Sequence, residues 1–296
     1  MAGLEHASHS NSLHTSRRAP PAGTPLSHQK GFTMSLNGYH GSEDDILIEI
    51  EDRIAWITFN RPEALNAFGP AQFHRLADLL DGVSVNPDVG VVVLTGNGRA
   101  FSAGGDVREF TKKGLVDTGV YALRAMTSIR SCRKPVIAMV NGIAVGGGNE
   151  LVIAADLAIA ARSARLGQAG TMIGACPVLG GTNVLPLQIG EKRAKQIVFF
   201  SEKVPAEQAF EWGWVNAVVD DADLKSTTRE WAERLLALHP QSLQIAKAGS
   251  NVWWNYSYDT MVNGLDMIAM GVPAESVDEG RDAFLAKRPA DYSPWH

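Results

Sequence analysis

The sequence predicts an α/β fold, and three observations lead to that prediction. Segments typical of buried strands alternate with segments of helical periodicity between residues 45 and 161. Beyond residue 190 the pattern becomes mostly helical. The chain has 296 residues, of which 45% are hydrophobic, so it can bury one large core. We therefore expect a layered α/β core followed by a helical C-terminal region.

The predicted strands lie in the first half of the chain. Residues 46–60 (ILIEIEDRIAWITFN) alternate between apolar and polar side chains on both sides of a turn at 51–53, which predicts a hairpin. Residues 89–96 (VGVVVLTG), 135–142 (PVIAMVNG) and 157–161 (LAIAA) are short and almost wholly apolar. Such runs are typical of parallel strands that are buried on both faces.

The predicted helices complete the alternation and set the domain boundaries. Residues 69–83 carry apolar side chains at helical spacing, with Pro70 in the first turn, and residues 149–156 and 223–239 also have helical patterns. The first 44 residues are rich in Ser, His, Pro and Gly and have no apolar face, so we expect a disordered tail at 1–44. The core then covers 45–220, and the C-terminal helical region covers 221–296.

Composition excludes several classes of function. The formal net charge of −5 and the scattered basic residues give no surface for nucleic acid. No apolar run is long enough to span a membrane. The two cysteines, Cys132 and Cys176, make neither a disulfide framework nor a zinc site, so we expect a reducing compartment, the cytoplasm, and no bound metal.

Two glycine-rich segments carry the candidate chemistry. In GGGNE (146–150) three glycines precede a predicted helix, and in SAGGD (102–106) Gly104 and Gly105 follow a predicted strand. Backbone N–H groups in such loops are left uncovered, so one donor from each segment can converge on an oxygen as an oxyanion hole. Glu150, in an apolar stretch beside these donors, is the candidate acid or base. The alternatives are close strand-to-helix packing by the glycines and an ordinary helix cap by Asp106.

In order and spacing, these segments resemble the crotonase superfamily, also called the enoyl-CoA hydratase/isomerase family. The resemblance also includes NRPEALNAF (60–68), LGQAG (166–170) and AFEWGWVNAVV (209–219). It implies a spiral core of ββα units, a C-terminal trimerisation region and a homotrimer or hexamer. The implied substrate is an acyl-CoA thioester, with no further cofactor. It assigns the oxyanion donors to the N–H groups of Ala103 and Gly147. The implied substrate contacts are Ala64, Leu65, Ala103, Gly105, Asp106, Val107, Gly146 and Gly170.

The sequence departs from the pattern of the hydratases in this superfamily at one catalytic position. Those enzymes use two glutamates, and the resemblance places the first at Glu150, whereas the second position holds Gly170. The GQAG segment resembles the dihydroxynaphthoyl-CoA synthases and the hydrolases that open cyclic oxoacyl-CoA rings. The aspartate that those synthases carry is replaced here by Pro177 or Val178. The gap expected at Gly170 offers room for a water, a bicarbonate or a bulky acyl group.

The resulting functional hypothesis is an enzyme that adds water to an enoyl-CoA or a cyclic oxoacyl-CoA. Glu150 transfers the proton, and the oxyanion hole stabilises the enolate. The alternatives are a ring-cleaving hydrolase of a cyclic oxoacyl-CoA, a dihydroxynaphthoyl-CoA synthase-like enzyme and a non-catalytic relative that binds acyl-CoA. The absence of the second glutamate keeps the non-catalytic alternative open.

Overall fold

The computed structural model describes residues 33–36 and 38–296. The strands of this part are β1 (Thr33–Leu36), β2 (Tyr39–Ser42), β3 (Ile46–Glu51), β4 (Ile54–Phe59), β5 (Val91–Gly96), β6 (Ala100–Ser102), β7 (Val136–Val140), β8 (Ile143–Val145), β9 (Leu157–Ala161), β10 (Arg165–Gly167), β11 (Lys203–Pro205) and β12 (Ala217–Val219). Its helices are α1 (Pro70–Val85), α2 (Lys112–Ser131), α3 (Gly147–Ala154), α4 (Leu185–Ile189), α5 (Glu191–Phe200), α6 (Ala206–Glu211), α7 (Leu224–Leu236), α8 (Pro240–Ser250), α9 (Val252–Gly271) and α10 (Ala274–Leu285).

The core repeats one structural unit along the chain. A six-stranded sheet has the order β12-β9-β7-β5-β4-β3, and a four-stranded sheet has the order β11-β10-β8-β6. The pairs β5–β6, β7–β8 and β9–β10 each place their first strand in the larger sheet and their second in the smaller one, and each pair is followed by a helix. Strands β5, β7 and β9 are mutually parallel. The predicted spiral of ββα units is confirmed.

Apolar side chains explain why these elements form where they do. The apolar residues of β5 and β7 are almost fully buried, as expected for central parallel strands with both faces covered. Helix α1 buries Phe73, Leu76 and Leu80 at helical spacing. The predicted hairpin is present as the antiparallel pair β3–β4.

The N-terminal boundary predicted from composition needs correction. Residues predicted as part of the disordered tail form the antiparallel pair β1–β2 and a short 3-10 helix at Glu43–Asp45. The hydroxyl of Tyr39 in β2 donates to Asp117 of α2 at 2.9 Å, so this hairpin contacts the folded core. Local composition did not reveal the hairpin because its contacts with the core, such as that of Tyr39 with Asp117, are long-range. The rest of the predicted tail, residues 1–32 and 37, lies outside the described residues.

The C-terminal part contains helices α7 to α10. Helix α9 packs against α2, and α10 packs against the short 3-10 helices at Val107–Glu109 and Thr171–Ile173. Helix α2, which the sequence analysis did not predict, is therefore covered by the C-terminal helices. Among the helices of the described residues, none is long and apolar enough to cross a membrane.

A buried ammonium group joins α8 to the core. Lys247 is 9% exposed, and its Nζ donates to the carbonyl oxygens of Ile129 and Lys134 at 2.9 and 3.0 Å. The same Nζ lies 2.7 Å from the carboxylate of Asp156, which also accepts from the N–H of Val136. Lys247 thus ties α8 to the end of α2 and to the start of β7.

We predict that Lys247→Met destabilises the protein by about 3–5 kcal/mol, the usual cost of removing one partner of a buried ion pair. Urea unfolding followed by circular dichroism measures this loss. The exposed Lys192→Met is the control and should change the free energy of unfolding by less than about 0.5 kcal/mol. Equal stability of the two variants would contradict the role given to Lys247.

Candidate active site

Most of the predicted site residues meet at one cavity of about 250 Å³. The cavity lies between the glycine loops that follow β6 and β8, the segment after β10 and the helices α2, α9 and α10. The predicted residues that line it are Leu65, Ala103, Gly105, Val107, Gly146, Gly147, Glu150 and Gly170. Ala64 and Asp106 do not line it, so their predicted contacts with CoA stay predictions.

In the loop after β6, the residue with the free backbone N–H is not Ala103, as the sequence analysis expected. The N–H of Ala103 donates to the carbonyl oxygen of Leu65 at 2.9 Å, so it is not available to a ligand. The N–H of Gly105 has no acceptor among the described residues. Gly105, and not Ala103, therefore presents the free N–H of this loop. The sequence did not distinguish them because the acceptor lies nearly forty positions earlier in the chain.

The direction of the Gly105 N–H follows from the planarity of the peptide that it shares with Gly104. The N–H of Phe68 donates to the carbonyl oxygen of Gly104 at 2.8 Å. In a trans peptide the C=O and the following N–H point in opposite directions, so the Gly105 N–H points away from Phe68. The N–H of Asp106 donates to the carbonyl oxygen of Phe68 at 2.9 Å, which fixes the next peptide as well.

The three glycines before α3 have three different structural roles. Gly146 has a φ of +54°, which favours glycine. Gly147 is the first residue of α3, and its N–H has no acceptor among the described residues. A Cβ atom on Gly148 would lie 2.2 Å from the carbonyl oxygen of Ser102, so a side chain there would prevent this packing of α3 on β6.

The two free N–H groups belong to loops in direct contact. A Cβ atom on Gly104 would lie 2.8 Å from the nitrogen of Gly147, and one on Gly147 would lie 3.7 Å from the nitrogen of Gly105. Gly104 also has a φ of +87°. Only glycine therefore fits at position 104 of this contact, and both residues with an unpaired N–H, Gly105 and Gly147, line the same cavity.

Glu150 lies in the first turn of α3 and is 5% exposed. Its Oε1 accepts hydrogen bonds from the N–H groups of Leu179 and Gly181 at 2.9 and 3.3 Å. Burial raises the pKa of Glu150 to about 7, although the two backbone donors act in the opposite direction. Both protonation states of this carboxyl group are therefore accessible near neutral pH.

The position expected for a second carboxylate holds Gly170, which lines the cavity without a side chain. A Cβ atom on Gly170 would lie 3.0 Å from the carbonyl oxygen of Ala175 and 3.2 Å from the nitrogen of Cys176. A side chain here would need the backbone at 175 and 176 to shift by a few tenths of an ångström, so the space beside Gly170 is tighter than the gap expected from the sequence. Pro177 and Val178, the candidates for the position of the synthase aspartate, line the cavity without a carboxylate.

Asp106 supports the Gly105 loop from outside the cavity. Its carboxylate accepts from Arg61 at 3.2 Å and from Nε of Arg108 at 2.8 Å. Burial favours the neutral acid, but the hydrogen bonds and charge of Arg108, together with the charge of Arg61, outweigh it and lower the pKa of Asp106. The carboxylate stays ionised and holds the loop. This role is close to the alternative in which Asp106 is a helix cap, since it also accepts from the N–H of Arg108.

The remaining wall of the cavity is mostly apolar and comes from residues that sequence reasoning missed. The apolar side chains from α2 and the C-terminal helices are Leu115, Ala122, Leu265, Ile268 and Phe284. The buried side chains of α2 recur every three or four residues, so its periodicity was a usable signal. Among the described residues, no three His, Cys, Asp or Glu side chains form a group that could hold a metal ion.

Comparisons with known proteins show to which family the chain belongs. Residues 49–294 match the family model of enoyl-CoA hydratase/isomerase. The chain is 34% identical over 268 residues to 1,4-dihydroxy-2-naphthoyl-CoA synthase of Mycobacterium tuberculosis, a match that covers 83% of this chain and 85% of the relative. It is 32% identical over 254 residues to crotonyl-CoA hydratase of Syntrophomonas wolfei, covering 84% and 98% of the two chains.

A solved structure shows the same fold. An enoyl-CoA hydratase from Mycobacterium avium subsp. paratuberculosis superposes with a TM-score of 0.76 at 26% identity, covering 84% of this chain and 98% of that one. The match of the family model over most of the chain, the two relatives and this shared fold all lead to one assignment. The chain belongs to the enoyl-CoA hydratase/isomerase family, the crotonase superfamily.

Proposed function

We propose that this protein is an enzyme that binds an acyl-CoA thioester and adds water to its acyl group. The observation that carries the proposal is the pair of unpaired N–H groups of Gly105 and Gly147 in one cavity with Glu150. In the proposed complex both N–H groups donate to the thioester oxygen, which becomes negative as an enolate forms. Donors fixed in this way stabilise that charge without a metal or a cofactor, and losing one typically costs about 10²–10³ in rate.

In the proposed hydration, Glu150 acts first as a base and then as an acid. Its carboxylate takes a proton from water as the water oxygen bonds to C3 of an enoyl thioester. The C2=C3 electron pair moves to the thioester oxygen and forms the enolate. The protonated Glu150 then delivers the proton to C2. A pKa of about 7 supports both steps because neither protonation state is strongly disfavoured.

A second candidate reaction is ring-cleaving hydrolysis of a cyclic β-oxoacyl-CoA. Glu150 takes a proton from water as the water oxygen bonds to the ring ketone carbon. The bond from that carbon to C2 breaks, its electron pair forms the thioester enolate, and Glu150 returns the proton to C2. The ketone carbon becomes a carboxylic acid. As in the hydration, one carboxyl group completes the sequence. The GQAG segment with Gly170, which resembles that of the ring-opening hydrolases, favours this candidate.

Two further alternatives have less support. The 34% identity to a dihydroxynaphthoyl-CoA synthase favours a synthase-like reaction, but Pro177 and Val178 stand where its aspartate is expected. A non-catalytic acyl-CoA-binding protein would have no need for a buried carboxyl group whose pKa is near 7.

Product analysis separates these candidates. The protein is incubated with crotonyl-CoA or with a 2-oxocyclohexane-carbonyl thioester of CoA, and products are identified by mass spectrometry with fragmentation. Hydration predicts one added water on crotonyl-CoA, and ring cleavage predicts an open-chain dicarboxylic monothioester. No turnover of either thioester, with retained binding, would contradict both candidate reactions and favour the non-catalytic alternative.

We also propose that the protein is a cytoplasmic homotrimer or a dimer of trimers. Large apolar side chains are exposed on α8 and α9, including Ile245, Trp253, Tyr256 and Met270, and a subunit contact would cover them. The free thiols of Cys132 and Cys176 support a reducing compartment.

We predict that Glu150→Gln lowers kcat by about 10²–10⁴ with a small change in KM, because the amide keeps the shape but cannot exchange the proton. Steady-state kinetics on the active thioester measures the effect. Glu109→Gln is the control, because Glu109 is half-buried and its pKa is also raised by burial, yet it does not line the cavity. Turnover of Glu150→Gln at the wild-type rate would remove Glu150 from the mechanism.

The pH profile gives a second readout of the same group. A base with a pKa of about 7 must be ionised, so kcat/KM should fall by about one decade per pH unit below pH 7. The residual activity of Glu150→Gln should lack this ionisation.

We predict that Gly170→Glu does not create a two-glutamate hydratase. The new Cβ meets the backbone at Ala175 and Cys176, so we expect a loss of about 1–3 kcal/mol of stability and no faster hydration of crotonyl-CoA. Thermal unfolding and hydration rates measure the two effects, with Gly170→Ala as the smaller control. A stable Gly170→Glu protein with increased hydration would show that the backbone at 175 and 176 moves aside.

A further inference from the structure

A buried hydroxyl group beside the cavity has no hydrogen-bond partner among the described residues. Thr118 of α2 lines the cavity and is 6% exposed. Its Oγ1 is buried and bonded to no described residue. Threonine hydroxyls inside helices usually donate to the carbonyl oxygen four residues earlier, but that bond is absent here. A buried hydroxyl without a partner destabilises the free protein, so its retention needs a reason.

Thr118 lies close to the reacting centre. A Cβ atom on Gly105 would lie 3.9 Å from Cγ2 of Thr118. The Thr118 side chain is therefore a neighbour of the loop that presents the first N–H donor. A ~120° rotation about its χ1 angle would place Oγ1 where Cγ2 lies now, on the side of Gly105.

The side chain of Gln168, which lines the same cavity, also has polar atoms without a hydrogen-bond partner. Gln168, at the end of β10, is fully buried and lines the cavity. Neither Oε1 nor Nε2 of its amide has a partner among the described residues. A Cβ atom on Gly181 would lie 2.8 Å from this Nε2, and the N–H of Gly181 donates to Glu150, so Gln168 belongs to the Glu150 end of the cavity.

An unbranched alkyl chain would leave all of these polar atoms unpaired. Most side chains that line the cavity are apolar, including Leu115, Ala122 and Leu265, and no described residue hydrogen-bonds these polar atoms. Sites built to hydrogen-bond a polar group on a substrate discriminate against analogues without it, because their buried polar atoms then stay unpaired.

We propose that the acyl group of the substrate carries an oxo or hydroxyl substituent, and that Thr118 binds this oxygen. Gln168 provides a second polar contact, as donor or acceptor, at the other side of the cavity. The inference rests on the proposed function, since it assumes an acyl-CoA ligand, and it narrows the acyl group to an oxygenated one. Thr118 is thus a residue that determines substrate specificity.

The test is a binding experiment that needs no turnover. Isothermal titration calorimetry measures the Kd of hexanoyl-CoA and cyclohexanecarbonyl-CoA and of counterparts with one hydroxyl or oxo group at the second, third or fourth carbon from the thioester carbonyl. Wild type, Thr118→Val and Thr118→Ser are compared in the Glu150→Gln background, which suppresses reaction of the oxygenated ligands. Valine keeps the shape of threonine without the hydroxyl, and serine keeps the hydroxyl.

We expect the protein with Thr118 to bind at least one oxygenated ligand about tenfold more tightly than its unsubstituted counterpart. Thr118→Val should abolish this preference without weakening binding of the unsubstituted thioester, and Thr118→Ser should retain it. Equal preference in Thr118→Val, or no preference with Thr118 present, would overturn the proposal. If no thioester binds at all, the proposed function fails instead. Thermal unfolding of each variant shows whether a lost preference reflects a lost fold.

Discussion

A planar peptide held by its carbonyl oxygen is the constraint on which the site depends. Phe68 binds the carbonyl oxygen of Gly104, and peptide planarity then directs the N–H of Gly105 to the opposite side. At the second loop, the N–H of Glu150 donates to the carbonyl oxygen of Gly146 at 2.9 Å, so the N–H of Gly147 is directed by the same rule. Both donors are oriented before a ligand arrives, so binding does not have to order them.

The anchor of the first peptide is itself fixed by packing. The ring of Phe68 lies 4.9 Å from that of Phe59 and 4.7 Å from that of Phe73, centroid to centroid, in the buried core. Phe59 ends β4 and Phe73 belongs to α1, so the hydrophobic core that stabilises the fold also determines where the Gly105 loop lies. Stability and site geometry therefore depend on the same aromatic contacts.

Features that depend on interactions between residues close in the sequence were predictable, whereas features that depend on contacts between distant residues were not. Strands such as β5 and the hairpin β3–β4 were predictable because a local apolar pattern determines them, and Glu150 stood out as an acid in an apolar stretch. The two glycine loops were predictable from their own residues, whereas the spiral followed from the resemblance to a superfamily. The free donor was misassigned to Ala103 because its N–H is bonded to Leu65, which the local pattern does not show. The unpaired Thr118 and the backbone beside Gly170 likewise depend on tertiary contacts.

Glu150 is held by the backbone N–H groups of Leu179 and Gly181, not by their side chains. Main-chain atoms persist through almost any amino-acid replacement, whereas the side chain of Leu179 contributes to the cavity wall. Substitutions in the loop at 179–181 can therefore change the shape of the cavity while the carboxyl group of Glu150 keeps its place. The walls of the cavity can vary in sequence without displacing this buried acid.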